Sequence, residues 1–293
     1  MMKDCLTRAL LCDGYVSAFA VNTTELCHTA QKLHECEPCA AAALGRCLSG
    51  AILMSATLKG KNDKLSLIVD GNGSAGKIIC TITTDGIIKG YIQNPKANLP
   101  IRKDGKLDVG GIIGKGMLTV IRDEGQNEPY VGMSELVSGE IAEDIAAYYM
   151  QSQQLPTAVM LGVSCDKNGD VISAGGMFIS PLPNCPDAVI DQLEEKLKSL
   201  PGMSSLLPKY LCMEELLLDN FWDIGVRPLE SNDIAYKCDC SRQRMESALI
   251  SLGKSQLQEL ADEPNTEMCC HFCNQKYNFT RDDIIALIGE CNG

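Results

Sequence analysis

Two close pairs of cysteines near the end of the chain constrain it more than any other feature. Cys238 and Cys240 are a C-x-C pair, Cys270 and Cys273 are a C-x-x-C pair, and residues 241–269 separate the two pairs. Zinc prefers sulfur and nitrogen ligands and binds four of them in a tetrahedron. The spacing therefore predicts that the chain folds back between the pairs and that Cys238, Cys240, Cys270 and Cys273 hold one Zn²⁺ ion.

The neighbours of these cysteines leave alternatives open. Cys269 stands directly before Cys270, but it would form a C-x-x-x-C pair with Cys273, a poorer spacing for zinc, so Cys270 is the predicted ligand. His271 is a further possible ligand, although four thiols are already available. The same four cysteines would also suit two permanent structural disulfides, which are rare in a reducing compartment.

The rest of the sequence indicates the cellular compartment of the protein and the classes of partner that it lacks. The chain has 293 residues, 16 cysteines and a net charge of −12, and an acidic chain lacks the basic surface that nucleic-acid binding needs. Residues 1–20 do not resemble a signal peptide, since Asp13 and Gly14 interrupt the apolar stretch. The sequence has no apolar run of about 18 residues, so no membrane helix is expected. We therefore expect a cytoplasmic protein with neither nucleic acid nor membrane as a partner.

The segment that carries the four cysteines is too short to bury a large core. A metal ion must therefore supply much of its stability, and structural zinc contributes roughly 10–16 kcal/mol in modules of this kind. The ligands must be thiolates, which is also the form that oxidants attack. Each pair is placed to close on itself as a disulfide, so oxidation would remove the zinc ligands. The sequence thus favours a redox switch, while a purely structural zinc ribbon remains the alternative.

Composition divides the chain into three parts and predicts an α+β fold class. The parts are an N-terminal mixed α/β-sheet domain (1–182), a helical linker (183–231) and a small C-terminal zinc-binding domain (232–293). Turn signals between β-branched runs are typical of neighbouring hairpins rather than βαβ units. Strands are predicted at 65–69, 77–84, 87–92, 117–122, 157–163 and 171–179, the last with a break at Gly175-Gly176. Helices are predicted at 24–33, 40–54, 140–151 (capped by Ser138 or Gly139), 190–200, 211–218 and 242–252, with capping boxes at Ser255/Gln258 and Thr280/Asp283.

A series of short motifs accompanies the cysteines in order along nearly the whole chain. They are Leu44-Gly45-Arg46, Ser55-Ala56-Thr57-Leu58-Lys59, Val109-Gly110-Gly111, Gly114-Lys115-Gly116, Tyr130-Val131-Gly132, residues 139–144, Tyr149 with Ser152, Gln153 and Gln154, Gly175-Gly176, Pro181-Leu182-Pro183, and residues 236–241 with 270–273 and Tyr277. With these motifs the chain resembles the 33 kDa chaperonin family of redox-regulated heat-shock chaperones.

The resemblance implies a function that is not enzymatic. Members of this family are weak chaperones while reduced and zinc-bound. Oxidative stress forms two disulfides, here Cys238–Cys240 and Cys270–Cys273, and releases the zinc. The zinc domain and the linker then unfold and hold unfolding client proteins without ATP, and the activated form tends to be a homodimer. The remaining twelve cysteines have no part in this scheme.

Three other motifs need separate interpretation. The glycines between 71 and 76 spell G-x-G-x-x-G, but a strand follows them, so they predict a hairpin turn rather than a dinucleotide site. The glycines at 110–116 lack the spacing of a phosphate loop. Cys36-Glu37-Pro38-Cys39, with His34 nearby, precedes a helix and supports the runner-up function, a thiol–disulfide oxidoreductase that acts through Cys36 and Cys39 or through the zinc cysteines. Ordinary variation and metal binding with His34 are the other interpretations of that motif.

Overall fold

The chain divides into two compact units, which we call the large unit (Met1–Lys237) and the small unit (Cys238–Gly293). A computed structural model describes residues 2–125 and 128–290 of the chain. Every described strand-to-strand pairing joins residues of the same unit, and each unit has a hydrophobic core of its own.

The large unit is built on two antiparallel sheets. A five-stranded sheet has the order β10-β1-β2-β9-β8, and a six-stranded sheet has the order β11-β5-β4-β3-β6-β7, in which only the short β11 runs parallel to its neighbour. The strands are β1 Cys5–Leu11, β2 Val16–Asn22, β3 Lys64–Gly71, β4 Lys77–Thr83, β5 Ile87–Ile92, β6 Gly116–Asp123, β7 Tyr130–Glu135, β8 Ala158–Cys165, β9 Val171–Pro181, β10 Val226–Asp233 and β11 Ala235–Tyr236. Sequential strands pair as hairpins, as the turn signals predict.

Helices cover these sheets. They are α1 Thr24–His34, α2 Pro38–Ser55, α3 Val109–Ile113, α4 Ala142–Gln153, α5 Asp187–Ser199, α6 Met203–Leu206 and α7 Met213–Phe221, with short 3-10 turns at Cys12–Gly14, Leu207–Lys209 and Trp222–Ile224. α2 packs against strands of both sheets, and all its residues except Pro38 and Arg46 are buried. Contrary to the sequence expectation that no such run exists, it is the one helix among the described residues that is long and apolar enough to cross a membrane. However, 89% of that stretch is buried inside the fold, as in a core helix.

Most predicted elements of the large unit are confirmed to within three residues, and two details are wrong. β9 runs through Gly175-Gly176 without the predicted break, because β2 and β8 pair with it on both sides. A Cβ on Gly175 would lie 2.2 Å from the carbonyl oxygen of Val21, so glycine is needed there for close strand approach. The signal that suggested a break therefore marks tight packing.

The start of α4 also differs from the prediction. Neither Ser138 nor Gly139 caps this helix, which begins at Ala142 after Ile141, a residue with a positive φ of 71°. The carboxylate of Asp144, fully buried, accepts hydrogen bonds from the backbone N–H groups of Val137 (2.7 Å) and Ile141 (2.8 Å), among others. These bonds hold the approach to the helix in a conformation that a β-branched residue rarely adopts.

The predicted linker segment, 183–231, packs on the five-stranded sheet. Buried side chains of α5, α6 and α7 share a second hydrophobic cluster with residues of β1, β2 and β9; the helical members are Leu193, Met203, Leu206, Met213, Leu216, Leu217 and Phe221. The opposite side of this segment keeps apolar groups in solvent, since Leu211 is 84% and Trp222 is 73% exposed. β10 then pairs with β1 and β11 with β5 before the small unit begins.

The small unit contains α8 Arg242–Ser251, α9 Lys254–Leu260, a hairpin of β12 Asn265–Cys269 and β13 Lys276–Thr280, and α10 Arg281–Glu290. Ser241 caps α8 as predicted, and Thr280 and Asp283 form the predicted reciprocal cap, with bonds of 2.8 and 3.3 Å. Ser255 instead lies inside α9, which begins after Gly253. The described core consists of six buried residues, Leu249, Leu257, Ala261, Phe279, Ile284 and Leu287.

Candidate metal centre

Four sulfur atoms meet at one end of the small unit. The Sγ atoms of Cys238, Cys240, Cys270 and Cys273 all lie within 4.8 Å of one another, and among the described residues this is the only group of three or more possible ligands so placed. Sγ of Cys238 is 3.7 Å from that of Cys270, and Sγ of Cys240 is 3.3 Å from that of Cys273. Close contacts between sulfurs therefore link the two pairs. The chain folds back as the spacing predicts.

Local backbone structure places each pair. Cys238 and Cys240 lie in the extended segment before α8. Cys270 and Cys273 lie in the turn of the β12–β13 hairpin, where the N–H of Cys270 donates to the carbonyl of Gln275 (2.9 Å) and the N–H of Asn274 donates to that of Cys270 (2.8 Å). Asn274 completes this turn with a φ of 56°. The hairpin thus brings two sulfurs to one side of the cluster.

Arg242 fixes the first pair to the hairpin. Its guanidinium lies over the ring of Phe279, with 4.4 Å between Cζ and the ring centroid, and donates to the carbonyl of Asn278 (2.9 Å). It also pairs with Asp283 at 2.9 Å. Each exposed contact of this kind is worth about 1 kcal/mol or less. Together they orient the start of α8, and hence Cys240, against β13.

The four sulfurs fit a tetrahedral metal. A Zn–S bond of about 2.3 Å in a tetrahedron separates the sulfurs by about 3.8 Å, which is close to the separations between the pairs. Cys270 is the most enclosed of the four, with 6% of its surface exposed, and the other three are half-buried. All four are free thiols in the structure. The donor set therefore suits a soft divalent ion, which would neutralise the charge of the thiolates.

The thiols are not electrostatically equivalent without a metal. Burial raises the pKa of Cys238 and Cys273 above the ordinary value. At Cys240 burial also acts to raise the pKa, but hydrogen bonds from Tyr277 and the neighbouring sulfurs outweigh it and lower the pKa. The Tyr277 hydroxyl lies 3.1 Å from Sγ of Cys240 and donates to it. Negative charge is therefore more favoured on Cys240 than on Cys238 or Cys273.

The alternatives left by the sequence are resolved in part. Cys269 is exposed and belongs to the end of β12, where it pairs in register with Lys276, and neither it nor His271 is a member of the sulfur cluster. The strand explains this outcome, because successive side chains point to opposite faces and only Cys270, beyond the strand, turns inward. Sequence reasoning used Tyr277 for the resemblance and missed its contact with Cys240.

The Cys36-Glu37-Pro38-Cys39 motif lies in a different setting. Pro38 begins α2 as the motif suggests, but Cys36 is 7% and Cys39 0% exposed, and burial raises the pKa of Cys36 to about 12. The Cys39 thiol donates to the carbonyl of Leu99 at 3.6 Å. His34 lies 3.1 Å from the carbonyl of Gly90 and outside any metal group among the described residues. Buried thiols of raised pKa are poor nucleophiles, which argues against an oxidoreductase centred here.

Four of the other cysteines are parts of the large unit's core. Cys12, Cys27, Cys47 and Cys80 are buried free thiols, and burial raises the pKa of Cys27 to about 12. They act there as small hydrophobic residues. Cys212 is exposed, Cys5, Cys165 and Cys185 are partly exposed, and Cys291 lies outside the described residues.

Comparisons with known proteins agree with the geometry. The model of the family described as Hsp33 protein matches residues 4–280. A 33 kDa chaperonin of Clostridium acetobutylicum is 44% identical over 290 residues, covering 98% of both chains, and one of Clostridium botulinum is 45% identical over 285 residues, covering 97% of this chain and 96% of the relative. A crystal structure of the 33 kDa chaperonin (heat shock protein 33 homolog) of Thermotoga maritima superposes with a TM-score of 0.88 at 33% identity and 98% coverage of both chains. The chain therefore belongs to the Hsp33 family.

Proposed function

We propose that this protein is a redox-regulated, ATP-independent holdase of the cytoplasm that binds unfolding proteins under oxidative stress. The observation that carries the proposal is the cluster of four free thiols in a unit whose described core has only six buried residues. Membership of a family whose relatives are named chaperonins supports the chaperone part of it. The relatives' name supports a binding rather than a catalytic activity.

Zn²⁺ is the proposed ion of the reduced form. Cys238, Cys240, Cys270 and Cys273 would hold it, and four thiolate ligands favour zinc among the common cellular cations. Cys238 and Cys240 before α8 would hold it together with Cys270 and Cys273 of the hairpin turn, and the bound ion would stabilise the small unit. The residues themselves do the sensing, because the same sulfurs that bind the metal are the groups that an oxidant attacks.

Oxidation is proposed to convert the ligands into two disulfides, Cys238–Cys240 and Cys270–Cys273. Each pair lies within one short segment, so closing either bond needs no long-range rearrangement. A disulfide sulfur is a far weaker ligand than a thiolate, so the unit loses its zinc ion. A core of six residues cannot replace the lost binding energy, and the small unit unfolds.

The client-binding surface is proposed to come from the segment 183–231, which acts as the linker between the chaperone domain (1–182) and the redox-sensing region (232–293). Its apolar side chains, among them Leu193, Leu216 and Phe221, are now covered by packing on the five-stranded sheet. Detachment of α5 and α7 would expose both these residues and the strands beneath them. The activated form, with more apolar surface in solvent, is proposed to be a homodimer.

The test is a measurement of aggregation of a heat-unfolded client protein before and after treatment of this protein with hydrogen peroxide and mild warming. Zinc release and free thiols are followed in the same samples. We expect suppression of aggregation only after oxidation, together with loss of one zinc ion and four thiols per chain.

Two variants sharpen this test. The double variant Cys238→Ser/Cys240→Ser should no longer be controlled by peroxide, whereas Cys269→Ser, which changes an exposed cysteine outside the cluster, should respond like the unmodified chain. Equal and negligible suppression by the reduced and oxidised protein would disprove the proposed function.

A further inference from the structure

The hydroxyl of Tyr277 contacts the cysteine cluster directly, and this contact has no role in the proposed switch as described so far. It donates a hydrogen bond of 3.1 Å to Sγ of Cys240. Tyr277 is the second residue of β13, pairs with Met268 across the hairpin, and is partly buried against the small unit's core. Phe279, two residues on and on the same face of the strand, is fully buried in that core. The ring is therefore held in place by packing, and its hydroxyl is aimed at one particular sulfur.

Hydrogen bonds to a metal-binding thiolate change its chemistry. A donor stabilises negative charge on the sulfur and withdraws electron density, so the thiolate becomes a weaker nucleophile towards an oxidant. Groups that touch a ligand rather than the metal typically alter metal sites in this way. Only one of the two cysteine pairs is affected directly, because Cys240 belongs to the C-x-C pair.

We propose that Tyr277 is a positioning residue that slows oxidation of the Cys238–Cys240 pair relative to the Cys270–Cys273 pair and so sets the oxidant threshold of the switch. This inference rests on the proposed function and names how that same site is regulated. It predicts that loss of the hydroxyl speeds oxidation of the C-x-C pair, which Tyr277 contacts, and leaves the hairpin pair largely unaffected. The hydroxyl would thus require a stronger or longer oxidative challenge before Cys238 and Cys240 are lost as ligands.

The oxidant class is a hydroperoxide, and the chemistry balances. The thiolate of Cys240 attacks one peroxide oxygen, the O–O bond breaks, and a sulfenic acid and a hydroxide ion form. The thiolate of Cys238 then displaces hydroxide from that sulfur and closes the S–S bond. The two sulfurs lose two electrons in total, the hydrogen peroxide gains them, and the two hydroxide ions take up two protons from the buffer to become water.

The experiment compares the full chain with Tyr277→Phe, which keeps the ring and removes the hydroxyl. The initial rate of disulfide formation by hydrogen peroxide is measured for each cysteine pair by alkylation and peptide mass spectrometry of the zinc-loaded protein. We expect the Cys238–Cys240 rate to rise about five-fold, the factor that corresponds to about 1 kcal/mol, and the Cys270–Cys273 rate to change much less. Tyr130→Phe is the matched control, since this exposed hydroxyl belongs to the large unit and contacts Gln153 at 3.2 Å.

A second readout does not depend on oxidation. In the cobalt-loaded protein, Tyr277→Phe should move the sulfur-to-cobalt charge-transfer band to longer wavelength, because the sulfur loses a hydrogen-bond donor. The d–d bands of the tetrahedral site should stay in place.

If the unmodified protein forms disulfides and releases zinc but both rates and the band are unchanged in Tyr277→Phe, the inference is wrong and the proposed function stands. A variant unable to bind cobalt would also overturn it, by showing a purely structural role. If even the unmodified protein keeps its zinc in peroxide, the proposed function fails, and the cobalt band alone decides whether Tyr277 tunes the sulfur.

Discussion

The two units of this molecule obtain their stability in different ways. The large unit encloses α2 between two sheets, and its two clusters contain many fully buried aliphatic and aromatic side chains. The small unit has six described core residues and four clustered sulfurs instead. Because apolar burial scales with size, we expect the large unit to fold through its own buried apolar area and the small unit to depend on a bound metal ion. The proposed switch in the small unit would then leave the large unit folded.

The largest effect on this difference between the units is expected from removal of the metal. Chelation of the zinc-loaded protein should unfold the small unit and leave the large one intact, because the lost binding free energy, roughly 10–16 kcal/mol, exceeds what such a small core supplies. Limited proteolysis with mass spectrometry should then show cleavage within 238–293 and a resistant fragment that ends near Lys237. Equal resistance of both units after chelation would contradict the comparison.

Substitution of a single cysteine ligand should affect the small unit nearly as strongly as removal of the metal. Cys270→Ser removes the most enclosed of the four sulfurs and should weaken metal binding by more than about 100-fold, since a tetrahedral thiolate site loses a quarter of its donors. Competition with a chromophoric chelator measures the affinity. Cys269→Ser changes the adjacent exposed cysteine and should leave the affinity unchanged. A loss of affinity in Cys269→Ser, and not in Cys270→Ser, would reassign the ligand.

Equivalent core substitutions should change metal affinity in the small unit and the unfolding temperature in the large unit. Leu257→Ala in the small unit and Leu67→Ala in the large unit both truncate a fully buried leucine, at a cost of about 3 kcal/mol. Because folding of the small unit is coupled to metal binding, the first substitution should appear as about 100-fold weaker metal affinity. The second should lower the unfolding temperature of the large unit without changing that affinity. Thermal unfolding and metal competition on both variants would show whether the coupling is confined to one unit.

The sequence predicts what depends on near neighbours. Hairpins between β3, β4 and β5 follow from turn residues only a few positions apart, and the cluster of four sulfurs follows from two short spacings. The choice of Cys270 over Cys269 follows from spacing too, because C-x-x-C suits zinc better than C-x-x-x-C, and the structure places Cys270 in the sulfur cluster. Zinc itself, the disulfides and the holdase activity stay predictions.

Contacts between distant parts of the chain could not be predicted in the same way. β1 pairs with β10, so that Cys5 lies opposite Asp233, and no local pattern connects these segments. Gly175 was misinterpreted as a break because its neighbour, the carbonyl of Val21, is remote in sequence. The bond from Tyr277 to Cys240 spans 37 positions and depends on how the hairpin meets the segment before α8. Such pairings are set by the whole core rather than by propensity.

The smallest predicted effect concerns the large unit alone and uses pH. Asp4 is buried beside the start of α1, where it accepts hydrogen bonds from the N–H groups of Leu26 (2.6 Å) and Glu25 (3.1 Å). These bonds favour the charged form, but burial outweighs them and raises the pKa of Asp4 from 3.8 to about 6.

The folded state therefore takes up a proton near pH 6 that the unfolded chain binds only near pH 4, so protonation stabilises the large unit as the pH falls through this window. Relative to Asp4→Asn, which cannot titrate, the unmodified unit should gain about 2 kcal/mol between pH 7 and pH 4. Denaturant unfolding at both pH values measures this difference, and a value that stays constant with pH would show that the hydrogen bonds, rather than burial, control the carboxyl group.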